Sequence, residues 1–267
     1  MNSTRIINVI LVAVAVGLVA WGFSFIPASE PAGPAEHLLA GQLSQEGDYV
    51  YNEGSKYYTI EVHYPAKTML SGKADALARL AIEREMLSQI DGFHQILDES
   101  LTPREKTRLD GEKGFQYAFS VRYEEFPKTQ TSAHYNSFLY SIYQDTGGAH
   151  PNGYFVTFVF DQFKPTGVPL KLSDLFKPGA DYLARLSQAA TPQVRQQVSE
   201  RLGSDAVPAI FDEGLKPAEE NFQNFTVDGD SLHIFFPPYQ VAPYAAGTFD
   251  ITIPLSSLGD ILAPDVR

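Results

Sequence analysis

The chain has 267 residues, 44% hydrophobic and 19% charged, a balance that supports a packed core and excludes wholesale disorder. Its net charge of −12 repels phosphate backbones and argues against nucleic acid as a partner. Cysteine is absent, which excludes a disulfide framework, thiolate catalysis and zinc–thiolate sites.

Residues 6–26 read IINVILVAVAVGLVAWGFSFI and carry no charge. About 20 such residues in a helix cross the hydrocarbon core of a bilayer. Arg5 precedes the run, and Glu30 and Glu36 follow it. This asymmetry predicts a single-pass signal anchor in the cytoplasmic membrane, N-terminus inside, with the rest extracytoplasmic. A cleaved signal peptide is the competing reading and leaves the remaining chain in the same compartment. Residues 27–46 mix Pro, Ala, Gly and Glu, the composition of a linker, with a short helix around His37–Leu43 as an alternative.

In the segment from Tyr49 to Tyr64, residues Tyr58, Ile60, Val62 and Tyr64 alternate with polar residues and predict a strand ended by Pro65. Lys73–Glu99 predicts a long helix with Leu77, Leu80, Ala81, Leu87, Ile90, Phe93, His94 and Leu97 near one stripe. Thr102, Pro103 and a polar run read as a connection. Phe115–Phe126, His134–Gln144 and the run YFVTFVFD predict three strands of an antiparallel meander, with Lys128–Ser132 as a turn.

After Leu170 the period changes. LKLSDLF reads as the start of a helix with Ser173 as N-cap, and Asp181–Leu202 as a helix broken in two by Pro192. Asp205–Leu215 and Pro217–Phe222 are further short helices. Phe225–Val227 and Ser231–Phe236 flank Asp228–Gly229–Asp230, a hairpin signal. Thr248–Ile253 is a last strand, and LSSLGDIL a short closing helix. The segregation of strands and helices predicts an α+β fold, with antiparallel sheets packed against helices after the transmembrane helix. The expected domains are residues 47–145 and 146–267.

No complete catalytic motif is present, and the five histidines after the linker fall at no metal-ligand spacing. His94 and Asp98 share a helix face and make at most half a metal site; an ordinary helix pair is the simpler reading. No metal and no cofactor are expected. His150 lies in GGAHPNG, where glycine, proline and Asn152–Gly153 impose a special backbone path. A histidine held there can brace the turn or serve as acid, base or ligand. FFPPYQVAPYAAG packs aromatics between prolines; it suits either a buried crossover or a rigid contact surface carrying Tyr239 and Tyr244.

GGAHPNGYFVTFVFD and LHIFFPPYQVAPYAAGTFDITIPLSSL resemble signature segments of the extracytoplasmic domain of RsiV-type anti-sigma factors and PdaC-type peptidoglycan deacetylases. Residues 47–145 resemble, less specifically, the companion domain that precedes it. The resemblance implies an α+β fold and an envelope location. In the RsiV type this domain is a lysozyme receptor; in the PdaC type the chain carries a separate deacetylase domain. With about five residues before the apolar run and no deacetylase-like segment, the expectation is the sensor or binding half alone. Its expected ligand is a lysozyme-like protein or peptidoglycan, with His150, Asn152, Tyr239 and Tyr244 as the residues to test. The alternative is a cell-wall hydrolase or deacetylase using His150.

Overall fold

The computed structural model describes residues 38–112, 114–127, 134–203 and 209–266. The expected anchor at 6–26 and turn at 128–132 lie outside them. Among the described residues no helix is long and apolar enough to cross a membrane.

Six strands form one sheet in chain order: β1 (Gln42–Leu43), β2 (Asp48–Gly54), β3 (Tyr58–Pro65), β4 (Tyr117–Phe126), β5 (Tyr135–Asp145) and β6 (Asn152–Asp161). Neighbours are antiparallel except β3 and β4, which run parallel with Tyr58 opposite Tyr117 and Val62 opposite Val121. A parallel pair needs a crossover, supplied here by α1 (Gly72–Ser100) and α2 (Pro103–Gly111). The all-antiparallel expectation is corrected at this one seam.

Helix α1 covers one face of the sheet. Its buried stripe is Ala74, Ala78, Ile82, Met86, Ile90, Phe93 and Leu97, against Ile60, Val62, Phe119, Val121, Phe138, Tyr140, Ile142, Phe158 and Phe160. Leu77, Leu80, Ala81 and Leu87, expected on that stripe, are half-buried at its flanks. The small Ala74 and Ala78 let other backbone approach the first turns of the helix. Gly167, at φ +73°, comes so near that a Cβ on it would stand 2.5 Å from the Ala74 carbonyl oxygen.

The second half of the presumed linker belongs to the fold. Leu39 is buried, and the Leu38 N–H donates to Glu83 Oε2 at 2.6 Å. The stretch 38–43 is an extended segment ending in β1, not a helix. The polar run after Thr102 is α2, with the Thr102 hydroxyl accepting from the Glu105 N–H at 3.2 Å and Pro103 in the first turn.

Beyond β6 the chain builds a second layer: α3 (Tyr182–Leu202), α4 (Glu219–Phe222), and a three-stranded antiparallel sheet of β7 (Phe225–Asp228), β8 (Ser231–Phe236) and β9 (Phe249–Pro254). The hairpin at Asp228–Gly229–Asp230 and the last strand lie where expected. LKLSDLF is a 3-10 turn over Leu172–Leu175 that begins after Lys171, so Ser173 is not its N-cap. The segments before α4 and after β9 are also 3-10, at Ala209–Leu215 and Leu255–Leu258.

Pro192 does not divide α3. The helix runs unbroken from its N-cap Asp181 to Gly203 at φ +67°. Carbonyls in the turn before the proline are occupied by side chains: Thr191 Oγ1 donates to the Ser187 carbonyl at 2.8 Å, and Gln193 Nε2 to that of Ala189 at 3.4 Å. Leu186, Ala190, Val194 and Val198 pack α3 on Phe225, Val227, Leu232, Ile234 and Ile251.

An expected boundary at 145 would cut the first sheet, because β6 pairs with β5 from Gln144–Asn152 to Tyr135–Asp161. The two layers also share packing, with Tyr135 and Val159 in the core of the second. On the opposite side of β7–β9, Phe235 meets Phe126, Leu139 and Phe155.

Candidate functional site

The β5–β6 turn approaches the segment that follows β8. Asp145 Oδ1 accepts from the Gly147 N–H at 2.9 Å, turning the chain at Gly147, whose φ is +74°. His150 then projects beside Tyr239 and Tyr244. Its ring stacks on Tyr244 with centroids 3.8 Å apart and planes at 18°, and lies 5.6 Å from the Tyr239 ring. The two tyrosine rings are 5.5 Å apart.

Hydrogen bonds fix the orientation of the imidazole. Nδ1 lies 3.0 Å from the Pro151 carbonyl oxygen, which can only accept, so Nδ1 carries the proton. Nε2 lies 2.8 Å from the Tyr239 hydroxyl, from which it accepts when the imidazole carries its single proton on Nδ1. The imidazole thus holds a tyrosine hydroxyl at Nε2, with Tyr244 flat against its face.

Tyr239 is held with some strain. Its φ of +70° is the sole positive value at a non-glycine among the described residues. Left-handed backbone costs an L-residue about 1–2 kcal/mol, and such outliers cluster at functional sites. The neighbouring Gln240 enforces it: its Nε2 donates to the carbonyls of Gly214 at 3.2 Å and Asn221 at 2.9 Å. A Cβ on Gly214 would sit 2.0 Å from the Gln240 carbonyl oxygen, so only glycine admits this approach. Val241 and Ala242 are buried beyond it, and Tyr244 opens a 3-10 turn.

Three of the four residues singled out in the sequence therefore meet in one cluster. Asn152 does not enter the stack; it starts β6 opposite Gln144, two residues from His150, with its side chain exposed. The aromatic segment is divided rather than wholly core or wholly surface: Tyr239 is 52% exposed, while Val241 and Ala242 are inside. Tyr143, not singled out, is 42% exposed at the end of β5, and its hydroxyl donates to Asp145 Oδ2 at 3.4 Å. Burial, then the charge of Asp145 and the nearness of Tyr244, raise its phenol above the ordinary value. The alternation of β5 made Tyr143 look like one more strand residue.

The other histidines are engaged elsewhere. His94 Nε2 is 2.9 Å from Glu53 Oε1, not paired with Asp98 in a metal half-site. Glu53 also accepts from the hydroxyls of Tyr51 at 2.6 Å and Tyr58 at 2.7 Å. Burial opposes its charge, but these three partners hold its carboxyl below the usual range. His63 bridges Asp48 at 2.7 Å and Glu61 at 3.0 Å beside a cavity of about 280 Å³ lined by Glu46, Asp48, His63 and Tyr123. Ser44 donates to Asp48, and Arg122 to Glu61. His134 faces Asp161, and His233 faces Thr252. Among the described residues no set of three or more His, Asp or Glu side chains is arranged to hold a metal ion.

Residues 173–256 match the family described as protein of unknown function DUF3298. The matched segment contains Tyr239 and Tyr244 but not His150, which lies before it. The chain is also 28% identical over 211 residues to the peptidoglycan-N-acetylmuramic acid deacetylase PdaC of Bacillus subtilis, covering 79% of this chain and 40% of PdaC. It thus spans well under half of that relative, and the PdaC resemblance expected from the sequence is present. It is 26% identical over 250 residues to the esterase Rv3036c of Mycobacterium tuberculosis, covering 92% of this chain and 94% of the esterase. A solved DUF3298 family member from Bacteroides fragilis shares the fold, with a TM-score of 0.57 at 19% identity over 86% of this chain and 96% of that one.

Proposed function

We propose that this chain is an extracytoplasmic binding module, tethered to the cytoplasmic membrane through residues 6–26, that takes a cell-envelope ligand at the His150–Tyr239–Tyr244 cluster. The observation that carries the reading is the cluster itself. Two segments far apart in sequence are brought together, a strained tyrosine is held at the surface, and its hydroxyl is held by a histidine. Rigid aromatic side chains give contact area at little entropic cost, which suits recognition. The similarity to PdaC, a peptidoglycan-modifying protein by name, supports an envelope ligand, either peptidoglycan or a lysozyme-like protein.

The test is co-sedimentation of the full chain with purified peptidoglycan sacculi, beside a calorimetric titration with lysozyme. Saturable binding in either, weakened by His150→Ala, supports the reading. No binding in both overturns it.

A second reading is hydrolysis of an acyl bond. It is favoured by the hydrogen bond from the Tyr239 hydroxyl to His150 Nε2, which polarises a candidate nucleophile, and by the similarity to an esterase. Against it, the partner of Nδ1 is a backbone carbonyl rather than a carboxylate. Turnover of p-nitrophenyl acetate that disappears in Tyr239→Phe would favour this reading over the first.

A further inference from the structure

We infer that a second site, apart from the aromatic cluster, takes a primary ammonium group on a short aliphatic stem, in a cavity where β5 begins and β6 ends. Tyr135 and Asp161 stand opposite each other there in the β5–β6 ladder, at the far end from Gln144 and Asn152, the pair nearest His150. The cavity measures about 220 Å³, and the exposed Lys164–Asp265 ion pair lines its outer side. Tyr135 lines it from within and is only 5% exposed. Its hydroxyl has no hydrogen-bond partner among the described residues, yet it is not sealed in the core as those of Tyr140 and Thr226 are. It opens on the cavity instead. The phenol is raised above its ordinary value by burial first, then by the charges of Asp161 and Asp265, in keeping with an oxygen that faces both carboxylates.

An unpartnered hydroxyl in a buried wall favours a ligand that brings a polar atom to it. The carboxylates say which kind. Asp161 Oδ1 accepts from the Phe163 and Lys164 N–H groups at 2.8 and 2.9 Å, and from the side of His134 Nε2 at 3.3 Å. Asp174 Oδ2 accepts from the Lys171 N–H at 2.8 Å. The other oxygen of each has no hydrogen bond among the described residues. Three carboxylates, those of Asp161, Asp174 and Asp265, line the cavity against the single Lys164, so an anion is repelled. No set of three such groups among the described residues is arranged to hold a metal ion. An ammonium group has three donors and no acceptor, which suits the phenol oxygen and the two unbonded carboxylate oxygens. Leu170 and Val266 supply apolar wall for the stem. A water takes about 30 Å³ of liquid volume, so the cavity has room for a stem of a few carbons. The same group could arrive as a free alkylamine or as the side chain of a lysine in a protein partner.

The test is calorimetric titration of the full chain, solubilised in a non-ionic detergent, with pentylamine and with Nα-acetyl-lysine N-methylamide, beside 1-pentanol and calcium chloride. Saturable binding of either amine, weakened at least about tenfold in Tyr135→Phe and in Asp174→Asn, supports the proposal. The Tyr135 hydroxyl has no partner in the free protein, so Tyr135→Phe should unfold at the wild-type temperature, which separates lost binding from lost folding. Preference for pentylamine points to a free amine as the natural source, and preference for the lysine derivative to a protein side chain. Pentanol binding as tightly as pentylamine overturns the charge assignment. Calcium binding more tightly than either amine, and lost in Asp174→Asn, overturns the ammonium in favour of a metal ion. Amine binding unchanged in both variants overturns the site, and no saturable binding of either amine overturns the proposal outright.

Discussion

The Ser137 hydroxyl closes both backbone hydrogen bonds of Val227: it accepts from the Val227 N–H at 3.1 Å and donates to the Val227 carbonyl at 2.9 Å. The Thr157 hydroxyl holds the start of the same strand, accepting from the Phe225 N–H at 3.1 Å and donating to the Gln223 carbonyl at 3.4 Å. The outer edge of β7 therefore stands on the face of the six-stranded sheet, and two hydroxyls replace the strand that would otherwise pair there. Buried backbone groups left unpaired cost about 1–3 kcal/mol each. Ser137→Ala should destabilise the protein by about 2–3 kcal/mol in urea unfolding. A loss below about 0.5 kcal/mol would show that this edge is satisfied in another way.

Two buried hydroxyls have no hydrogen-bond partner among the described residues, those of Thr226 and Tyr140. Each is desolvated without return. Thr226→Val and Tyr140→Phe keep shape and remove the oxygen, so each variant should be as stable as the wild type or more stable by about 1 kcal/mol. A clear loss of stability in both would mean that these hydroxyls are bonded after all.

Glu125 is a carboxylate whose burial raises its pKa, against the opposing hydrogen bond from Asn136 Nδ2 to its Oε1 at 2.8 Å. The folded state therefore binds this proton more tightly than the unfolded chain. Its contribution to stability is intact below the unfolded glutamate pKa of about 4.3 and is lost as pH rises through the folded value. Glu125→Gln removes the cost of ionisation and still offers an oxygen to Asn136. The variant should be more stable than wild type at pH 7, with the difference vanishing below about pH 4. A stability difference that does not change with pH would contradict this assignment.

At Tyr239 the usual ranking of alanine over glycine should invert. A φ of +70° costs glycine nothing and any other L-residue about 1 kcal/mol or more. Tyr239→Gly should therefore unfold at a higher denaturant concentration than Tyr239→Ala, by the equivalent of about 1 kcal/mol. The reverse order would mean that the turn relaxes once the tyrosine is gone.

Much of the scaffold is legible from local periodicity. The strands β4 to β6 announce themselves through alternation, and α1 through length. What misleads is the difference between hydrophobicity and fit. Leu77 and Leu80 outrank Ala74 and Ala78 on any apolar scale, yet the alanines face the sheet because close approach favours small side chains. Helix α2 carries a single buried apolar side chain, Leu109, among polar neighbours and reads as a loop unless Thr102 and Pro103 are taken as its start. The parallel seam leaves no local trace, since nothing within β3 names β4 as its neighbour.

The candidate cluster was legible for a different reason. Glycine and proline mark GGAHPNG and the aromatic segment as backbone of fixed path, and those two paths converge on His150, Tyr239 and Tyr244. Tyr143 was hidden by its own strand. Gln240 was hidden because its partners, the carbonyls of Gly214 and Asn221, lie 26 and 19 residues away.

The parallel pairing of β3 with β4 also bears on how fast the chain can assemble. The hairpin of β2 and β3 and the meander of β4 to β6 each close over short loops, so their entropy cost is repaid as they form. The seam between them requires all of residues 66–116 to be looped out before Ile60 meets Phe119 and Val62 meets Val121. Helix α1 must settle on both halves at once, because its buried stripe contacts β3 and β4 alike. Topology thus places the slow step of folding at this seam, and a chain caught before it would expose the unpaired strand edges of both halves.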